Sequence, residues 1–386
     1  MGHHHGRHAA PETRTMLRVA LWIVGPLALL TLISMVWLWP TDGVSRPEEG
    51  ASEEFKARIT ALHAEPCAEK LVDDVNGCGR VTIELESGPD RGSVREVAMP
   101  NGPGAPIIDD GDDVLVIVSA SPDGEVYSIT DHQRGPELWI LCAAFVLVLL
   151  VFGRWRGLTA LAGLVVTFAV LLLFVVPALL AGESPLLVAI VASAAITLVV
   201  LYLTHGLSLA TTVAVLGTLA SLALTGVLAL LSVALLNLSG VTDDVATAVV
   251  MMHGIDMRGL LIASIVIGSL GVLDDVTVTQ SATVAELAHA NPAYRFRELY
   301  RAASRVGRSH IASVVNTIVL AYAGSSLPLL VLIVANNSSL SDVVTTQLIA
   351  QEVVRSAVAT IGLIAAVPLT TALAALAVRT SQPRTG

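Results

Sequence analysis

Charge is scarce in this sequence. Asp, Glu, Lys and Arg make up 14% of its 386 residues, where soluble domains carry about a quarter. Lysine occurs only as Lys56 and Lys70, aromatic residues amount to 4%, and there are three cysteines. With a hydrophobic share of 54%, this excludes an ordinary soluble domain and leaves a membrane protein. No basic patch is interleaved with aromatics, so nucleic acid is not an expected partner. H-E-x-x-H, G-x-S-x-G, Walker A and paired-cysteine metal spacings are also missing, and neither a cofactor, a metal nor a catalytic residue is expected. The opening MGHHHGRH is a short terminal tract, and DDGDD at 109–113 lacks the D-x-D-x-D-G spacing of a calcium loop. The latter reads as an acidic turn between strands.

Long apolar runs are what the sequence does have. A span needs about 20 apolar residues, and such runs lie at 17–39, 138–152, 158–180, 186–203, 209–236, 260–278, 311–334 and 357–378. The fold expected is an all-α transmembrane bundle of about eight spans. The first run follows Arg14 and Arg18 but exceeds a signal-peptide core and lacks an A-x-A site, so it reads as an uncleaved anchor. Basic residues mark the cytoplasmic side of membrane proteins. Outside residues 40–134 all 14 basic residues are arginines, and with the N-terminus inside, 12 of them are cytoplasmic. Only Arg258 and Arg355 begin spans on the far side. The expected topology is therefore N-in and C-in, multi-pass in a bacterial plasma membrane. A disordered cytoplasmic N-terminus (1–16), a seven-span bundle (135–379) containing a cytoplasmic amphipathic segment (283–308) and a cytoplasmic tail (380–386) complete it.

Residues 40–134 differ in kind. They carry 20 acidic and 8 basic side chains, a net of −12, which leaves +2 for the rest. FKARITALHA, RVTIELES and DVLVIVSA alternate or favour β-branched residues between Gly/Pro/Asp clusters. A small extracytoplasmic β domain of barrel or sandwich type, inserted after the first span, is expected. Cys67 and Cys78 lie in it on the oxidising side, so a disulfide between them is expected; Cys142 is a small apolar filler in the second span.

The chemically informative stretch is GVLDDVTVTQSATVAEL at 271–287, which puts Asp274 and Asp275 in the sixth apolar run. A carboxylate at a span centre costs about 2.5–3.5 kcal/mol and usually faces a polar interior. On a helix, Gly268, Gly271 and Asp275 share a face on which glycine admits a close neighbour. Asp274, Thr277 and Ser281 form a stripe beside it. The seventh span answers with Ser309, Ser313, Asn316 and Thr317 at three- and four-residue spacing, so a polar seam between the two is expected. Gly324 and Pro328 are expected to bend that span near its outer end. Two depths remain open: a buried pair suited to proton uptake and release, or a pair marking the cytoplasmic end of the span.

GVLDDVTVTQSATVAEL, NTIVLAYAGSSLPLLVL and QEVVRSAVATIGLIAAVPLTTALAA resemble the YibE/F family of bacterial multispanning membrane proteins. That family resemblance implies a membrane protein and no particular substrate. The order Gly, Asp-Asp, Arg-containing amphipathic helix, polar-faced span and last long span more distantly resembles the transmembrane half-unit of resistance-nodulation-division transporters and of the protein-export pair SecD/SecF. By that resemblance Asp274 and Asp275 are proton-relay candidates. The chain departs from it in having two extra spans and no intramembrane lysine.

The function expected is that of a permease or export-accessory protein coupled to the proton gradient. Its partners would be the lipid bilayer, an unknown small molecule, ion or exported cargo, and either a homo-oligomer or a membrane partner protein. The alternative is a membrane scaffold or assembly factor acting through the outer domain. An intramembrane aspartyl protease fits badly, because adjacent helical residues point about 100° apart and no other span supplies an aspartate. The chain is not expected to be an enzyme.

Overall fold

The computed structural model of the chain describes residues 11–40, 54–65, 67, 75–121, 124–241, 244–328, 330–331 and 346–381. The His-rich tract, the outer end of the expected seventh span and the last five residues lie outside them. The chain divides into two units, Ser45–Val151 and Met1–Val44 with Phe152–Gly386.

The first unit is built on β1 (Glu54–Glu65), β2 (Cys78–Leu85), β3 (Val94–Ala98), β4 (Asp113–Ser121) and β5 (Gly124–His132). All pairings are antiparallel, in the order β3-β2-β1-β4-β5. Strand alternation decides the faces: Val81, Ile83 and Leu85 of RVTIEL are buried with Ala57, Ile59, Val114 and Val116, and the charged residues between them point out. Long β1 serves both neighbours. Its start pairs with β4, the rest with β2, and an irregularity between Ile59 and Ala61 bends it. The edge strands β3 and β5 approach each other, with Arg95 over the Tyr127 ring at 5.7 Å and Asp90 accepting from both Arg95 (3.2 Å) and the Tyr127 hydroxyl (3.0 Å). The expected disulfide is present, joining Cys67 to Cys78 where β2 begins. The acidic run at 109–113 turns into β4, with Asp113 paired to Arg58 at 2.7 Å.

The helices whose bounds are described are α1 (Pro11–Trp37), α2 (Gly135–Val170), α3 (Val176–Leu180), α4 (Pro185–His205), α5 (Leu209–Leu235), α6 (Asp244–His253), α7 (Met257–Ala290), α8 (Phe296–Ser325) and α9 (Gln347–Ser381). Local chemistry sets several boundaries. Pro185 opens α4, Ser208 caps α5 by accepting from the Thr211 amide at 3.0 Å, and Asp256 caps α7 through the Arg258 amide at 3.1 Å. Arg154, at φ 49° and ψ −126°, interrupts α2 between the second and third expected spans, and a π-helical turn at Leu171–Val175 joins α2 to α3.

Five described helical stretches are long and apolar enough to cross a membrane: Gly135–Leu180, Pro185–His205, Leu209–Leu235, Met257–Ala290 and Gln347–Val378. Eight runs were expected, and the difference has identifiable sources. The second and third runs form one stretch interrupted at Arg154, α8 begins with the charged FRELYRAASRVGRSH, and of α1 only Trp22–Trp37 lies among the residues whose side chains are described.

At the centre of the helical unit α5, α7 and α9 pack against one another. Two reciprocal contacts bring α5 and α9 together. A Cβ at Gly217 would lie 2.3 Å from the Thr370 hydroxyl oxygen, and one at Gly362 would lie 2.0 Å from that of Thr225. Each glycine makes room for a hydroxyl on the opposite helix, the small-residue packing that membrane helices favour. Gly362→Ala is therefore expected to destabilise the protein by about 1–3 kcal/mol. Thr225→Ala should relieve much of that loss and Thr225→Ser should not, as measured by thermal unfolding in detergent as a double-mutant cycle.

Candidate functional site

Helix geometry separates the two aspartates. Asp274 turns into the bundle, whereas Asp275 lies on an exposed face. The Asp274 Oδ1 is buried and has no hydrogen-bond partner. The nearest polar help is Thr218 of α5, whose side chain faces the carboxyl and also lies 2.6 Å from the Thr277 hydroxyl. Thr277 in turn reaches the Asp274 carbonyl at 3.1 Å. Each hydroxyl has one proton and can also accept. If Thr277 donates to the carbonyl, Thr218 must donate to Thr277; if Thr277 turns to Thr218, the Thr218 proton is free for the carboxylate. The three groups thus form a short chain with two proton arrangements.

Depth follows from neighbouring contacts. The Thr218–Thr277 bond and the approach of Val266 to Gly226 run α7 antiparallel to α5. Asp274 then stands within a turn of Ser221, which is twelve residues from Leu209 and fourteen from Leu235. That is about 18 Å from one end of α5 and 21 Å from the other. The carboxyl sits at mid-height of α5, and α7 continues well past it to Ala290. Buried hydroxyls without a partner recur on the surrounding helices, at Ser193 and Thr197 of α4, Ser221 of α5 and Thr370 of α9. Among the described residues no ion pair reaches Asp274: Arg355 pairs with Glu352 at 3.3 Å, Arg258 donates to the Leu238 carbonyl at 3.1 Å, and Arg308 donates to the Ser304 carbonyl at 3.3 Å.

The polar seam expected between α7 and α8 is divided. Thr277 and Ser281 are buried inside the bundle, while Ser309, Ser313, Asn316 and Thr317 lie on the exposed face of α8. The cause is the other stripe of α8, where Leu299, Ala303, Gly307 and Ile318 form the buried line. Gly268 does admit a neighbour, since a Cβ there would lie 3.3 Å from the Tyr322 hydroxyl; Gly271 and Gly324 face open space. α8 ends at Ser325, one residue after Gly324 and three before Pro328.

Two residues that sequence reasoning passed over hold this corner together. Gln280 is almost fully buried and donates from Nε2 to the Ala303 carbonyl (3.0 Å) and to the Thr371 hydroxyl (2.6 Å). It ties α7 to α8 and α9. Gly307 makes this possible, because a Cβ there would lie 2.7 Å from Gln280 Oε1 and 2.5 Å from Val367 Cγ1. Beside this junction Asp275, Thr279 and His310 line a cavity of about 20 Å³, room for one water. The available signals were Gln280 inside the polar run VTVTQSAT and a lone glycine within a charged helix.

Gln280→Leu leaves the Ala303 carbonyl and the Thr371 hydroxyl without their donor. A loss of about 1–3 kcal/mol is expected for stranding buried polar groups, read as a lower unfolding temperature, with Gln280→Glu recovering little of it.

No curated protein and no solved structure matches the chain. The family comparison does: residues 141–380, which include every helix around Asp274, match the YibE/F-like protein family, and the chain belongs to that family.

Proposed function

We propose that this multi-pass protein is a permease or export-accessory protein of the bacterial plasma membrane, coupled to proton movement through Asp274. The observation that carries the reading is the partnerless Asp274 Oδ1 at mid-height of the helices, beside a Thr218–Thr277 pair with two proton arrangements. Ionisable groups within membrane helices recur in proton relays and ion pathways, and a buried carboxyl next to a reversible hydroxyl pair has what a relay requires. Asp275 would serve at a different surface, with His310.

Eight spans with both termini inside remain the preferred topology, supported by the arginine distribution and by the interruption at Arg154. On that topology the sheet unit is extracytoplasmic. We read it as a partly open barrel, because its edge strands meet through Arg95 and Tyr127. The reading is of a non-enzyme. Asp274 and Asp275 diverge, so the convergence a two-carboxylate catalyst needs is not built here. The transported or assisted species is a small molecule, ion or exported cargo.

Infrared difference spectroscopy of the protein in lipid nanodiscs on a pH change tests this. A carboxylic-acid carbonyl band should be present in wild type, lost in Asp274→Asn and kept in Asp275→Asn. Asp274→Asn should also fail to restore a deletion phenotype. An unchanged spectrum together with full complementation by Asp274→Asn would sink the proposal.

A further inference from the structure

We infer that the outward face shared by α7 and α8 is the contact surface for a second copy of this chain, and that pairing encloses Asp275 in a site formed by both copies. The face presents Gly271, Asp275 and Thr279 on α7 and Ser313, Asn316 and Thr317 on α8, all exposed. In helices that cross a bilayer such a face cannot be left to lipid, which offers no hydrogen bonds. The inference rests on reading α7 and α8 as membrane-crossing helices and does not depend on proton coupling.

The inventory of bonds narrows the occupant. Thr317 donates to the Ser313 carbonyl at 3.0 Å, and Ser309 to that of Val306 at 2.7 Å, so these hydroxyl protons are engaged on their own helix. The Asp275 carboxyl and the Asn316 carboxamide make no hydrogen bond to any described residue. One is an acceptor when ionised, and the other carries two donors.

Their heights match. Gly268 lies against Tyr322 and Gly307 against Gln280, which runs α8 antiparallel to α7 and sets Asp275 within a turn of Asn316. Two copies inserted in the same direction are related by an axis along the membrane normal, which preserves height. A two-fold contact is isologous, so each Asp275 meets the Asn316 of the second copy at its own level. Gly271, with nothing near its Cβ position, leaves room for the second backbone.

Within the chain, the apolar run at 138–152 offers polar atoms only at Trp139 and Cys142 and does not match the face. A second copy brings the complementary set. The Asp275–His310 cavity would then lie at the margin of the contact.

The test co-expresses two differently tagged full-length chains, one carrying Thr279→Cys on α7 and the other Ser313→Cys on α8, each with Cys142→Ser and the Cys67–Cys78 disulfide intact. Native membranes are oxidised with copper-phenanthroline. A disulfide-linked dimer carrying both tags should form, while Val227→Cys on the exposed face of α5 stays monomeric. Unmodified protein in native nanodiscs should weigh two chains. Absence of cross-linking, equal cross-linking at position 227, a single chain per nanodisc, or an adduct with a different protein would each overturn the inference. Labelling of Ser313→Cys by a membrane-impermeant maleimide would overturn it by removing α8 from the bilayer. The Asp274 reading would survive that last result.

Discussion

The helices α5 and α9 approach so closely that a hydroxyl of one occupies the space a Cβ of the other would need, and the rest of the helical unit depends on that approach. Gly217 against Thr370 and Thr225 against Gly362 set the separation at two heights. Between those heights α7 lays Asp274 and Thr277 into the seam, with Gln280 just beyond Thr370 at Thr371. Dispersion at short range supplies the attraction where the solvent is hydrocarbon and offers no hydrophobic drive. Polar groups sealed in such a seam must find partners within the protein. Most do, through Thr277 to Thr218 and through Gln280 to Ala303 and Thr371. The Oδ1 of Asp274 and the hydroxyls of Ser221 and Thr370 do not.

One dipeptide thus serves two surfaces. Because successive side chains diverge by about 100°, Asp274 turns into the seam while Asp275 faces outward toward His310 and the polar side of α8. Gln280 and Gly307 keep these environments apart by fastening α7, α8 and α9 at one point. A proton taken up at Asp274 would remove a charge from the middle of the seam, where its neighbours are threonines able to reverse their donation.

Much of this was legible in the sequence, for physical reasons that can be named. Period-two alternation in RVTIEL placed the strands, the two cysteines placed the disulfide, and the carboxyl pair within an apolar run marked α7. The depth of Asp274 was not legible. A helix that overruns the bilayer looks the same from its own residues, and only the register against α5 fixes where Asp274 stands. The polar stripe of α8 was visible, yet its direction was misjudged. Ser309, Ser313, Asn316 and Thr317 were expected to meet α7, whereas the smaller Ala303 and Gly307 made the closer contact. Hydroxyls at Thr218, Ser221 and Thr370 carried no signal among many apolar neighbours, since threonine and serine are common fillers of membrane helices.

The central claim is that the Asp274 carboxyl turns into the helix bundle at mid-height of α5 with its Oδ1 enclosed, and reaction with carbodiimides tests it most directly. In native membranes, lipid-soluble dicyclohexylcarbodiimide should modify Asp274, and a water-soluble carbodiimide should leave it untouched while labelling exposed Glu286. Peptide mass spectrometry distinguishes the two. Modification of Asp274 by the water-soluble reagent as readily as Glu286 would contradict the account.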